Sequence, residues 1–234
     1  MHCHQLLLFW FLLWCGVGSY AQVEGFNFAK FDTLQKAKSL HLWGTQYYIH
    51  EVRSHGKVPF LDVKGRPLGF YADTCDFCAA ALEGTVAIWN QKGGHAVLNF
   101  ETYGDSAVVD CRKCPRFATS LLDVKRWGYK RWFVSTGYGH GVKGYKLIPF
   151  RTIAVDAKVI PYGTVLYIPA ARGIAIILAN GTTVVHDGYF FAGDTGAALK
   201  GAHVDFFTGS LKGNPFKTFV RSSDKYTFSA YVVT

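Results

Sequence analysis

Asp194 to Asp205 reads DTGAALKGAHVD, a short stretch holding two carboxylates, a lysine, a histidine and two glycines. Asp-Thr-Gly is a turn signal, because Asp and Thr hydrogen-bond their own backbone and Gly takes positive φ freely. Gly201 interrupts the chain again, just before Ala202-His203-Val204-Asp205-Phe206-Phe207. That run alternates in character, as a strand with two unlike faces does. On such a strand His203 and Asp205 share one face, and Val204 and Phe206 the other. A carboxylate on a rigid strand beside a second one on a turn can do acid/base chemistry. The same residues also fit a plainer description, in which Asp194 caps a turn and Asp205 is simply exposed.

The elements that must position these groups read mostly as β. Phe28, Phe31, Leu34 and Ala37 recur at helical spacing, which predicts a short amphipathic helix. WGTQYYIHEV (43–52) reads as one strand, and DFCAAALEG (76–84) as one or two helical turns ended by Gly84. TVAIWNQ and HAVLNFE flank Lys92-Gly93-Gly94 as a hairpin. From Lys130 onward come RWFVS, RTIAVD, GTVLYIPA, IAIILA, TTVVHD, YFFAGD, HVDFF and YTFSAYVVT, with Asn180-Gly181 as a strong hairpin signal. Many short strands separated by frequent turns predict a sandwich or a closed barrel.

The chain has 234 residues, half of them hydrophobic and 16% aromatic, so a sizeable core can be buried and bulk disorder is excluded. LLLFWFLLW near the N-terminus is too short to span a bilayer, which takes roughly 20 residues. Ser19 and Ala21 fit the small-residue rule of a signal-peptidase site, so a leader over residues 1–21 and a periplasmic or secreted protein are expected. The n-region holds His2 and His4 but no Lys or Arg. Trp14 stands before Cys15 where a lipoprotein signal needs a small residue, so lipidation is not expected. No later run is apolar enough to cross a membrane. The formal charge, 25 − 16 = +9, attracts polyanions. With no nucleic-acid-binding module visible, an acidic wall polymer is the expected partner.

Of six cysteines, Cys75, Cys78, Cys111 and Cys114 lie beyond the leader, as CDFC and CRKC. Two C-x-x-C pairs fit a four-thiolate structural zinc site. An exported chain meets an oxidising compartment, where two crossed disulfides would tie the same two loops together. Both readings stand at this point, and both are structural, since four thiolates leave no open position for a substrate. The redox reading lacks the surrounding βαβ pattern.

Arg151-Thr152-Ile153-Ala154-Val155-Asp156, Ile160-Pro161-Tyr162-Gly163-Thr164, Asp194 to Gly201 and His203-Val204-Asp205 together resemble the three-aspartate (3D) domain. That domain is the catalytic half of the membrane-bound lytic transglycosylase A family. Ser135 to Gly139 looks like its opening strand and loop. The resemblance spans roughly residues 130 to 210 and the C-terminal strand, leaving 22 to about 125 unexplained. It implies a mainly β fold: a six-stranded double-psi β-barrel domain over 126–234. An N-terminal β-rich, cysteine-stapled region over 22–125 would stand beside it. It also implies that peptidoglycan glycan strands are cut between N-acetylmuramic acid and N-acetylglucosamine without water and without a catalytic cofactor, forming a 1,6-anhydro ring. Asp205 matches the single acid/base aspartate, and Asp194 and Asp156 its supporting aspartates. Structural zinc is the one cofactor left open.

Simple chemistry agrees with that assignment. A hydrolase needs a second carboxylate to attack or to activate water. An internal hydroxyl already in place lets one carboxyl cycle from acid to base. Asp194 nearby would raise its proton affinity. Asp156 is expected to orient loops. Lys200 either moderates the carboxylate pair or is solvated. Tyr138, His140 and His203 either contact sugar or pack. Ala197 stands where the family commonly has Gly, which matters if positive φ is needed there. The alternatives are a hydrolytic muramidase and an expansin-like module that binds or loosens polysaccharide without cleaving it.

Overall fold

The computed structural model describes residues 37–53, 55–90, 94–178 and 180–233. The expected leader, with Cys3 and Cys15, and the expected helix around Phe28, Phe31 and Leu34 lie outside the described residues. The first strand, β1, is Ser39–Tyr47. A second group follows: β2 (His50–Arg53), β3 (Val58–Leu61), β4 (Pro67–Ala72), α1 (Thr74–Glu83), β5 (Thr85–Trp89), β6 (His95–Tyr103), α2 (Val124–Trp127) and β7 (Lys130–Ser135). The chain continues through β8 (Thr152–Val155), β9 (Val165–Tyr167), β10 (Ala175–Ile177), β11 (Thr183–Val185), β12 (Tyr189–Asp194), β13 (His203–Phe207) and β14 (Phe228–Val232).

The fold is mainly β, built on a closed six-stranded barrel in the order β1-β13-β8-β12-β9-β14. The pairs β1–β13 and β8–β12 are parallel, and the other barrel pairs antiparallel. Closure removes the free sheet edges on which another chain could add a strand. Inward-facing Ile153, Val155, Leu166, Phe190, Ala192, Val204, Phe206 and Ala230 fill the barrel core, each at most 2% exposed. A second sheet, β2-β5-β6-β7, has its own core of Phe60, Phe77, Ile88, Leu98 and Trp132. β10 and β11 form the predicted Asn180-Gly181 hairpin.

The strands divide between the sheets differently from the expected order. WGTQYYIHEV is two strands rather than one: β1 stays in the barrel, and past Tyr48-Ile49 the chain enters the second sheet as β2. RWFVS, expected to open the barrel, pairs with β6 instead, Phe100 facing Trp132 and Leu98 facing Val134. Period-2 patterning tells which residues face a core but not which sheet supplies it.

α1 follows its sequence signals closely. Asp73 caps it, accepting the Asp76 N–H at 2.8 Å, and Gly84 ends it in the left-handed region at φ 77°. The four cysteines form two disulfides, Cys75–Cys114 and Cys78–Cys111, so the four-thiolate zinc reading is set aside. The thiolates zinc would need are consumed in S–S bonds. The bonds nest, the outer Cys of each pair joined to the outer Cys of the other, and they pin the first turns of α1 to residues 111–114. Among the described residues, no helix is long and apolar enough to cross a membrane.

Candidate active site

One face of the parallel pair β1–β13 carries the chemistry. Trp43 pairs with His203, Thr45 with Asp205 and Tyr47 with Phe207, each step two residues further along the same face. Burial along β13 alternates as the sequence predicts: Val204 and Phe206 are fully buried, while His203 and Asp205 are only partly so. Asp205 is therefore reachable from outside, yet its Oδ1 is buried and accepts no hydrogen bond. Its carboxylate is held by the Thr45 hydroxyl and the Phe206 N–H. Burial first, and then the charge of Asp194, raise its pKa to about 7. Thr45 Oγ1 also lies 2.8 Å from His203 Nε2. A hydroxyl has one proton to give. When Thr45 gives it to ionised Asp205, His203 must carry the hydrogen on Nε2. Trp43 stacks flat on that imidazole, with ring centroids 3.6 Å apart and planes at 8°. Burial keeps the His203 pKa below its ordinary value.

Asp194 ends β12 beside this face. The Tyr47 hydroxyl donates to its Oδ2 at 2.7 Å, and the Thr195 N–H to its Oδ1 at 2.8 Å. Burial outweighs both bonds and raises its pKa to about 6. Burial and this carboxylate together hold the Tyr47 phenol well above its usual range. Ala197 does not fall among the residues with positive φ, so an Ala there costs the turn nothing; Gly201 does, at φ 63°.

Asp156 stands apart. It is solvated, accepts the Gly201 N–H at 2.9 Å and the Lys158 N–H at 3.0 Å, and its pKa is lowered by those bonds. It therefore ties the turn after β8 to the turn before β13. Lys200 is exposed, and its charge acts on Asp156. The cation that acts on Asp194 is Lys130, on β7.

Tyr138 and His140 join the barrel to the second sheet. Tyr138 meets the Phe207 ring edge-on at 5.9 Å and packs on Ile49, Ala87 and Val97. His140 exchanges two backbone bonds with the Asn99 side chain, at 2.9 and 2.7 Å, and its Nδ1 lies 2.8 Å from Ser135 Oγ. Next to it, Gly141 lies so close to Asp194 that an added Cβ would come within 2.2 Å of the Gly193 carbonyl oxygen. Only glycine lets the loop reach the carboxylate this closely.

The second sheet brings charges that sequence reasoning missed. Glu83, the last residue of α1, has its pKa raised to about 7 by burial first and then by the charge of Asp205. Lys130 is 8% exposed, its ammonium 4.2 Å from the Phe100 ring, and burial lowers its pKa to about 8. The charges of Asp205, Asp194, Glu83 and Lys130 thus act on one another. Two of the carboxyls hold protons near neutrality, which suits general acid catalysis.

Metal-ligand types also meet elsewhere: donor atoms of His55, Asp73 and Asp76 lie within 4.8 Å of one another. Each already has a local task, His55 bonded to the Arg53 carbonyl, Asp73 as helix cap and Asp76 as partner of His50 at 3.1 Å.

Residues 151–214 match the family model described as the 3D domain. No curated protein matches the chain. Among the solved structures that share the fold are two lytic transglycosylases. One is a membrane-bound lytic murein transglycosylase from Agrobacterium tumefaciens, at TM-score 0.54 and 12% identity, covering 85% of this chain and 76% of that one. The other is Escherichia coli MltA with bound chitohexaose, at TM-score 0.51 and 15% identity, covering 82% of this chain and 71% of that one.

Proposed function

We propose that this chain is an exported lytic transglycosylase that cuts the glycan strands of peptidoglycan, with Asp205 as its acid and then its base. The observation that carries the reading is the Asp205 carboxyl: partly open to solvent, with one oxygen buried and unbonded, and its pKa near 7. Such a group is protonated often enough to donate and ionised often enough to accept. The 3D-domain match and the barrel shared with lytic transglycosylases support the choice of substrate. The two disulfides support export, since such bonds persist in oxidising compartments.

In this reading protonated Asp205 gives its proton to the glycosidic oxygen between N-acetylmuramic acid and N-acetylglucosamine. The C–O bond breaks, and positive charge develops at the anomeric carbon. Asp205, now ionised and held by Thr45, takes the proton of the muramoyl 6-hydroxyl as that oxygen closes the 1,6-anhydro ring. No water enters, and the carboxyl ends as it began. Asp194 keeps the Asp205 proton affinity high. Asp156 fixes the loop that leads into β13. Trp43, on its histidine, offers a flat face one pleat from Asp205 for a neighbouring sugar.

The test is digestion of purified sacculi, with products separated and weighed by mass spectrometry. Wild type is expected to release 1,6-anhydro-muropeptides, and Asp205→Asn none. Reducing-end products from wild type would make the enzyme a muramidase instead. Wall binding without any release, equal in both proteins, would make it a binding module.

A further inference from the structure

His203 meets the acid through another side chain. In the register of β1 and β13 it lies opposite Trp43, and Thr45 lies opposite Asp205. The imidazole nevertheless reaches along the face to the next pleat, where its Nε2 is 2.8 Å from Thr45 Oγ1. Trp43 covers one face of the ring, so the ring meets Thr45 by its edge. Thr45 thus stands between two groups that can take its single hydroxyl proton. One is the Asp205 carboxylate directly across the strand pair, which Thr45 also bonds. The other is Nε2 of His203 whenever that nitrogen is bare. A neutral imidazole carries its hydrogen on one nitrogen, and the other nitrogen accepts. With the hydrogen on Nδ1, Nε2 takes the Thr45 proton and Asp205 loses it. With the hydrogen on Nε2, the ring donates to the Thr45 oxygen, and the hydroxyl proton is left for the carboxylate.

We propose that His203 is a positioning residue for the cleavage at Asp205: as the Nε2–H tautomer it donates to Thr45 and so turns the hydroxyl proton onto the Asp205 carboxylate. The proposal rests on reading Asp205 as the acid. Asp205 gains negative charge as its proton passes to the glycosidic oxygen, and a donor already aimed at it needs no reorientation at that moment. The bond into Thr45 also strengthens the bond out of it, because hydrogen bonds in a chain polarise one another. His203 itself neither gains nor loses a proton in this role, and its burial favours the neutral ring. The other groups that act on Asp205 are Asp194, at the end of β12, and the Phe206 N–H; the charge of Asp205 is felt in turn by Tyr47 and Glu83.

The first test needs no substitution: nitrogen-15 NMR of the wild-type protein reads which nitrogen of His203 carries the hydrogen. Nε2–H is expected above neutral pH. A bare Nε2 would mean that Thr45 donates to the ring, and would overturn the proposal. The second test compares wild type, His203→Phe, Thr45→Val and the double variant by carbon-13 NMR titration of the Asp205 carboxyl and by kinetics on soluble, uncross-linked glycan strands. His203→Phe keeps a ring against Trp43 and removes the donor. The Asp205 midpoint is expected to rise by about half a unit to one unit, and kcat to fall by about 3- to 10-fold with KM within about twofold. His203→Gln, whose amide N–H can replace the donor, restores part of both. Thr45→Val raises the midpoint by itself, and adding His203→Phe to it shifts the midpoint no further. An unmoved midpoint in His203→Phe, or the same shift with and without Thr45, overturns the proposal. So does a raised KM with kcat preserved, which would make His203 a sugar contact. Neither NMR measurement needs turnover. A wild type that yields no anhydro products therefore overturns the reaction, while a bare Nε2 or an unmoved midpoint overturns the role of His203.

Discussion

Replacing Asp205 by Asn separates stability from activity, with a sign fixed by the site. In the folded chain the Asp205 pKa is about 7, against an ordinary 3.8. Between those values the folded state holds a proton that the unfolded state has released. Wild-type stability therefore falls as pH rises from about 4 to about 7, and levels off above that. The span corresponds to at most about 4 kcal/mol, at 1.36 kcal/mol for each tenfold change in proton affinity. Solvent reaching the carboxyl and its interaction with Asp194 reduce this, leaving about 2–4 kcal/mol. Asn is neutral throughout and carries no such penalty. Its amide oxygen can keep the Thr45 bond, but its NH2 then occupies the unpartnered position of Oδ1, at a cost of about 1–3 kcal/mol that does not vary with pH. The stability of Asp205→Asn relative to wild type is thus expected to improve by about 2–4 kcal/mol between pH 4 and pH 8. Activity falls at the same time by about 10²- to 10⁴-fold. Urea unfolding at the two pH values, paired with product analysis, measures both. A relative stability independent of pH, or one that worsens as pH rises, would refute the claim that Asp205 stays protonated at neutrality.

Asp156→Ala should lower the melting temperature above pH 5 and spare kcat to within about tenfold, because its bonds to Gly201 and Lys158 shape a loop rather than the reaction. Its lowered pKa means that this stability is present above the ordinary carboxylate range and fades as pH drops below it; scanning calorimetry at pH 3 and pH 7 checks the sign. Trp43→Ala removes the flat face over His203, and roughly a 2- to 10-fold rise in KM with kcat preserved is expected from the usual strength of ring stacking. Reducing the disulfides should cost about 3–4 kcal/mol of stability for each bridge in denaturant unfolding.

The parts of the site that share one strand were legible from residue order alone. His203 and Asp205 alternate with Val204 and Phe206, so the period of two placed the acid on the open face before any pairing was known. The turn chemistry of Asp156 and Asp194 was equally local. Partner choice was not local. RWFVS has the pattern of a barrel strand, yet it pairs with β6, and only that pairing brings Lys130 to the carboxylates. Cysteine spacing was silent for a related reason: two C-x-x-C pairs close equally well around a metal or across two S–S bonds, and the choice depends on how the loops approach. Glu83 is the instructive case. Its signal was present as a contradiction, an acid placed directly before the glycine that ends a helix, where the dipole opposes it. Read as a propensity, Glu in a helix is unremarkable. Read against position, it is a cost to the helix, and burial of the side chain adds to it. The residues hardest to justify by the element that carries them are therefore the first to test as belonging to chemistry done elsewhere.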